Sequence, residues 1–134
     1  MRFASRLTFC SDGSDCSEAS GPVLTLSIAR ATTFAQRMRG LLGHPPPPEG
    51  CALLIERCGS VHTIGMRFPL DLIFLDRRRR VTRVLSGIPP NRPFLYGGWR
   101  ATSVLEAASG RLPVHLLLPG MAAVISDGEP KNGG

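Results

Sequence analysis

The sequence predicts a mainly β (α+β) domain: a small closed or partly closed barrel or roll of about six to seven strands with one short amphipathic helix. Three observations lead there. The 15 glycines and 12 prolines fall between short apolar runs, as turns do in a β-rich chain. From Cys51 onward those runs have the length and alternation of strands. Only one window, Phe34, Met38, Leu41 and Leu42, has helical spacing. With 134 residues, 43% of them hydrophobic, the chain can bury one core and needs no second domain.

Residues 1–21 are expected to be a flexible leader, because Ser11-Asp-Gly-Ser-Asp and Ser17-Glu-Ala-Ser-Gly cannot bury much surface. The domain then occupies 22–126. Val23-Leu-Thr-Leu-Ser-Ile28 alternates in part and reads as the first strand. Thr33 can cap a helix, with Gln36 three residues on returning the bond. Gly43 suits its left-handed end, and Pro45 to Pro48 cannot continue it. Strands follow at Ala52–Glu56, Ser60–Phe68, Leu70–Leu75 and Val81–Leu85, the last two joined by the hairpin Asp76-Arg-Arg-Arg-Arg80. Pro89, Pro90 and Pro93 imply an irregular loop ending at Gly97-Gly98-Trp99, before the final strands Ala101–Glu106 and Met121–Ile125. A flexible tail, 127–134, is expected to close the chain.

The formal charge of +6 is carried almost wholly by arginine, Lys131 being the only lysine. The arginines are scattered rather than striped with aromatics, and the run Arg77–Arg80 occupies a hairpin tip. A solvated cationic surface is therefore expected, and a nucleic-acid partner is not. No run approaches the ~20 apolar residues that span a bilayer. Leu7-Thr-Phe-Cys10 is too short for a signal-peptide core, so the chain as written is expected to be cytoplasmic; a mis-assigned start would change that. The four cysteines are then expected as reduced thiols, their spacing unlike a zinc knuckle.

Polar residues within apolar strands are the candidates for a site. Strand alternation puts His62 on an apolar face with Ser60, Ile64, Met66 and Phe68, and Arg67 on the other. Cys58, four residues earlier, could join His62 at a metal if the chain bends at Gly59, but two ligands do not complete a zinc site. Asp71 shares a face with Ile73 and Leu75, where a carboxylate needs donors. It is either an anchor for neighbouring loop amides or a ligand-orienting group. Glu106 raises the same question at another strand, and Trp99-Arg100 pairs an indole with a cation as a contact patch or a plug. No P-loop, dinucleotide fingerprint or nucleophile elbow is present, and no cofactor is expected.

Three segments resemble, in order and spacing, the Domain of Unknown Function 192 family: Arg37-Met-Arg-Gly-Leu-Leu-Gly43, Cys58-Gly-Ser-Val-His-Thr-Ile-Gly-Met-Arg-Phe-Pro-Leu-Asp-Leu-Ile-Phe-Leu-Asp76, and Ala101-Thr-Ser-Val-Leu-Glu-Ala-Ala-Ser-Gly110. The resemblance covers about residues 23–125 and is to the branch with a Cys-x-x-x-His-Thr start. It implies a compact barrel-like domain without a settled activity, and an accessory role, since some members accompany secretion or pilus assembly. Where the family commonly has Gly-Asp, this chain has Gly120-Met121. The expected function is a monomeric, non-enzymatic binding or accessory module. It recognises a small polar ligand or protein partner through His62, Arg67, Asp71, Trp99, Arg100 and Glu106. The alternative is a metal-assisted hydrolase using Cys58, His62 and a carboxylate.

Overall fold

The computed structural model describes residues 1–11 and 21–127. Its strands are β1 (Ser5–Cys10), β2 (Pro22–Ala31), β3 (Cys51–Glu56), β4 (Ser60–Val61), β5 (Leu70–Leu75), β6 (Val81–Ile88), β7 (Leu95–Tyr96), β8 (Ser103–Ala108) and β9 (Ala122–Ser126). One helix, α1 (Phe34–Arg39), lies between β2 and β3. Seven strands form a sheet in the order β6-β5-β8-β3-β2-β1-β9, and β4 pairs with β7 as a separate ribbon. Only β2 and β3 run parallel in that sheet. Parallel neighbours need a long crossover, and the segment holding α1 and the prolines supplies it.

The sheet curls until its two edges meet. An isolated bridge joins Arg80 to Ala122, and Val81 N–H donates to Met121 O at 2.8 Å while Gly120 N–H donates to Val81 O at 2.7 Å. The result is a partly closed roll, as the sequence predicts. Leu7, Phe9, Leu26, Ile28, Leu54, Ile73 and Leu105 fill its inside. A second apolar layer lies on the outer face, where Leu53, Ile55, Leu70, Leu72, Phe74 and Val104 are covered by Leu41 and Met66. Strands β5 and β8 are thus buried on both faces, every residue of each. That burial explains their continuous apolar runs.

Several expectations need correction. Within residues 1–21, Ser5–Cys10 is not a flexible leader but strand β1, with Leu7 and Phe9 fully buried. Residues 12–20 lie outside the described residues, as does the expected tail from 128. Asp127 itself accepts from the Ser5 hydroxyl at 2.8 Å and pairs with Arg30 at 3.1 Å. Cys10 is disulfide-bonded, so the thiols are not all reduced, whereas Cys51 and Cys58 are free.

The helix forms for the local reason predicted. Thr33 Oγ1 accepts from Gln36 N–H at 3.1 Å and Gln36 Oε1 accepts from Thr33 N–H at 3.1 Å, a capping box. It ends earlier than expected, at Gly40 rather than Gly43, and buries none of its own residues. Phe34 and Met38 are 71% and 65% exposed, so the apolar spacing there does not face the core. The predicted strand Ser60–Phe68 stops at Val61 because Gly65, at φ +82°, turns the chain.

Candidate functional site

Where α1 ends, the chain passes over the outer face of β8, and the two meet at a buried carboxyl. Glu106 aligns with Leu53 on one side and Leu72 on the other, which fixes it in the outer apolar layer. It is 4% exposed. Leu41 N–H donates to its Oε1 at 3.2 Å. Among the described residues this is its one hydrogen bond, although a carboxyl can take part in about four. Burial pushes its pKa from 4.5 up to about 7, against the smaller opposing pull of the Leu41 N–H.

Glu106 lies at the side of a cavity of about 230 Å³ between α1 and the β4–β7 ribbon. Leu41, Leu42, Ile55, Val61, Met66 and Phe94 give it apolar walls, and Arg37, Cys58, Ser60 and His62 add polar groups. Met38 and Phe94 stand on its margin, each about two-thirds exposed. A larger opening, about 580 Å³, lies beside Glu56 and Arg79, but that pair is closed on itself by a 2.7 Å ion pair, and among the described residues the opening has no carboxyl buried as Glu106 is. The smaller cavity is the better candidate, because a perturbed carboxyl in an apolar cleft is a signature of a binding or reactive site.

Three sequence candidates, Cys58, His62 and Glu106, therefore share one cavity. Their chemistry is quiet. The Cys58 thiol donates to Ser60 O at 3.0 Å, and its pKa is raised, chiefly by burial and further by the nearby Glu106, against the smaller pull of Arg37. A raised thiol is a poor nucleophile and a poor metal ligand at neutral pH. His62 is exposed, not seated on an apolar face, and its Nδ1 accepts from Ile64 N–H at 3.2 Å. Among the described residues, no three His, Cys, Asp or Glu side chains cluster so as to hold a metal ion.

The remaining candidates lie elsewhere. Asp71 pairs in register with Ala107, one residue from Glu106, so the two carboxyls point to opposite faces of the sheet and form no acid–base pair. Its Oδ1 accepts from Gly87 N–H at 2.8 Å and its Oδ2 from Gly110 N–H at 3.3 Å, so it ties the irregular end of β6 to the turn after β8. Asp71→Ala should cost about 1–3 kcal/mol in urea unfolding by orphaning both amides. A wild-type midpoint would show that the strand end and the turn hold without it. Arg67 is exposed beside a separate cleft near His44 and Pro46. Trp99 is 80% exposed, with the Arg100 guanidinium 4.6 Å from its ring centroid, so it is no plug over the roll.

Sequence reasoning missed two residues. Thr63 is fully buried; its hydroxyl donates to Pro89 O at 2.7 Å and accepts from Arg92 N–H at 2.9 Å, stitching two loops together. Gly40 has φ +54°, and a Cβ there would fall 2.6 Å from Glu106 Oε1. The glycine is what lets the helix end close over the carboxyl.

The family model DUF192, described as "Uncharacterized ACR", matches residues 16–125, most of the chain. The chain belongs to the DUF192 family. Two solved structures share its fold. One is a protein of unknown function from Novosphingobium aromaticivorans DSM 12444, with 20% identity over 89% of this chain and 83% of that one, and a TM-score of 0.72. The other, from Sinorhizobium meliloti 1021, is described as a "putative transcription regulator", with 16% identity over 92% of this chain and 95% of that one, and a TM-score of 0.70. At these identities the likeness is one of fold. No match is found among curated proteins. No helix of the described residues is long and apolar enough to cross a membrane.

Proposed function

We propose that this DUF192 chain is a non-enzymatic binding module whose Glu106 cavity takes an apolar stem ending in a hydrogen-bond donor. The observation that supports this most directly is the spare accepting capacity of a buried carboxyl inside an apolar cleft. At about 230 Å³ the cavity falls below the ~300–1,000 Å³ of sites for drug-sized ligands, so its occupant is a small molecule or one side chain of a partner segment. Met38 and Phe94 at the margin suit the second case, because they offer apolar surface to whatever flanks the inserted group. The metal-assisted hydrolase is the weaker reading, since Cys58 and His62 are each engaged with backbone and, among the described residues, lack a third ligand.

Ligand-observed NMR with butyramide, butylamine and butyrate tests the reading at pH 8. The two donors should bind and butyrate should not, because it would bring a second carboxylate to Glu106. Glu106→Gln should weaken butylamine by about tenfold or more through loss of the charge-assisted bond. Indifference of the wild-type protein to all three, or binding unchanged by Glu106→Gln, would remove the cavity as a recognition site.

A further inference from the structure

The fold assembles a basic and aromatic cleft that the linear sequence hides. Thr102 N–H donates to Leu75 O at 2.8 Å, immediately before the Asp76–Arg80 hairpin, and so draws the Trp99-Arg100 loop against that hairpin. Arg77, Arg78, Arg80, Trp99 and Arg100 then line one cleft of about 570 Å³. The aromatic nearest the arginine run along the chain, Phe74, is fully buried; in three dimensions the run gains an exposed one.

The arginines are free to act on a ligand. Arg79 leaves the group to pair with Glu56, but among the described residues no acidic side chain pairs with Arg77, Arg78, Arg80 or Arg100. Asp76 also lines the cleft, yet its Oδ1 accepts from Arg78 N–H at 2.8 Å and Arg80 N–H at 3.0 Å, which holds the hairpin in shape. Among the described residues the cleft therefore carries four cations against one anion.

Trp99 is both exposed and held. Gly97 lies against the Phe74 ring, where no side chain would fit; its N–H donates to Gly59 O at 3.0 Å and its carbonyl accepts from the Thr82 hydroxyl at 3.2 Å. A pinned loop thus presents an indole that is 80% in solvent, with Arg100 against its ring. Exposing so much apolar surface has a cost unless something stacks on it.

We propose that this cleft binds single-stranded nucleic acid, with an unpaired base stacked on Trp99 and the adjoining phosphates held by Arg77, Arg78, Arg80 and Arg100. Guanidinium forks match phosphate oxygens, and an aromatic face beside a cationic groove is how single strands are held without base readout. A duplex offers no free base face to the indole. An anionic bilayer fits less well, because among the described residues Trp99 is the only apolar side chain lining the cleft and no neighbour would insert with it. This surface is separate from the Glu106 cavity, and the two readings stand or fall independently.

Trp99 is the only tryptophan, so its fluorescence reports the cleft directly. The full chain is titrated at low salt with an oligothymidylate of about ten nucleotides. A duplex of the same length and phosphatidylserine vesicles are titrated in parallel. Saturable quenching by the single strand is expected, weaker for the duplex. The logarithm of affinity should fall with the logarithm of salt at a slope of about −2 to −3, as four phosphate contacts require. The double variant Arg77→Ala/Arg80→Ala should weaken binding by about tenfold or more and flatten the slope by about 1.4. Trp99→Ala, followed by anisotropy of a labelled strand, should lose about tenfold. Glu106→Gln should change nothing here. No quenching and no retention of the strand at low salt would overturn the proposal. So would affinity unaffected by the arginine variant, or a blue shift with vesicles and no response to the oligonucleotide, which would transfer the cleft to a membrane surface.

Discussion

Gly40→Ala is expected to destabilise the fold by about 4 kcal/mol, the sum of two costs of about 1–3 kcal/mol each. The first is backbone strain. Gly40 sits at φ +54° and ψ −133°, a conformation that L side chains rarely adopt. The second is collision, since the new Cβ would lie 2.6 Å from Glu106 Oε1 and 3.4 Å from Ile55 Cδ1. β8 holds the Glu106 backbone in register between Leu53 and Leu72, so relief means turning the carboxyl away from Leu41 N–H and giving up that buried bond, itself worth about 1–3 kcal/mol. Gly120→Ala separates the two costs: it has φ +94° but open space around it, so it should lose only about 1 kcal/mol. Urea unfolding followed by far-ultraviolet circular dichroism measures both. In the double variant Gly40→Ala/Glu106→Ala the collision disappears and the strain remains, so the two losses should fall short of additive by about 1–3 kcal/mol. Equal midpoints for Gly40→Ala and wild type would mean that the helix end does not press on the carboxyl.

That interlock shows where sequence reading stops. The capping box at Thr33 and Gln36 was legible because its partners are three residues apart and its chemistry is local. The strands were legible from β-branched and leucine-rich runs bounded by glycine and proline, and the double burial of β5 and β8 accounts for runs without clean alternation. Strand β1 was not. Leu7 and Phe9 alternate, but only briefly, and the polar stretch that follows masked them. The helix was right in place and wrong in orientation: the spacing of Phe34 and Met38 says that they share a face, and it cannot say which face the chain covers.

The site was half legible for a similar reason. A carboxylate inside an apolar strand announces a buried polar group, and both Asp71 and Glu106 proved to be buried. Their opposite roles depend on partners far along the chain. Gly87 in β6 and Gly110 in the turn after β8 satisfy Asp71, while Glu106 meets Leu41 from 65 residues away and keeps accepting capacity in reserve. His62 was misplaced because alternation was carried through Gly65, beyond the point where the strand ends. Thr63, its neighbour, takes the buried position instead.

Glu106 should also make stability fall as pH rises. Its carboxyl has a pKa of about 7 in the folded chain and an ordinary value of 4.5 when exposed, raised by desolvation. Below pH 4.5 the group is protonated in both states and costs the fold nothing. Between 4.5 and 7 it ionises in the unfolded chain while the folded chain keeps its proton, so unfolding becomes progressively easier. Above 7 both states are ionised and the full penalty persists, about 3 kcal/mol for a shift of this size. His44 acts in the opposite direction, its pKa lowered by desolvation and by Arg39, so the wild-type curve alone mixes the two. Glu106→Gln isolates the carboxyl, because the amide keeps its shape, can still accept from Leu41 N–H and cannot ionise. Near pH 4.5 variant and wild type should unfold together; at pH 8 the variant should be the more stable by up to about 3 kcal/mol. Cys58 and Cys51, whose raised thiols titrate at still higher pH, do not enter this window. Two curves separated by a constant from pH 4.5 to 8 would mean that Glu106 titrates alike in the folded and unfolded chain, and that the cavity holds an ordinary carboxylate.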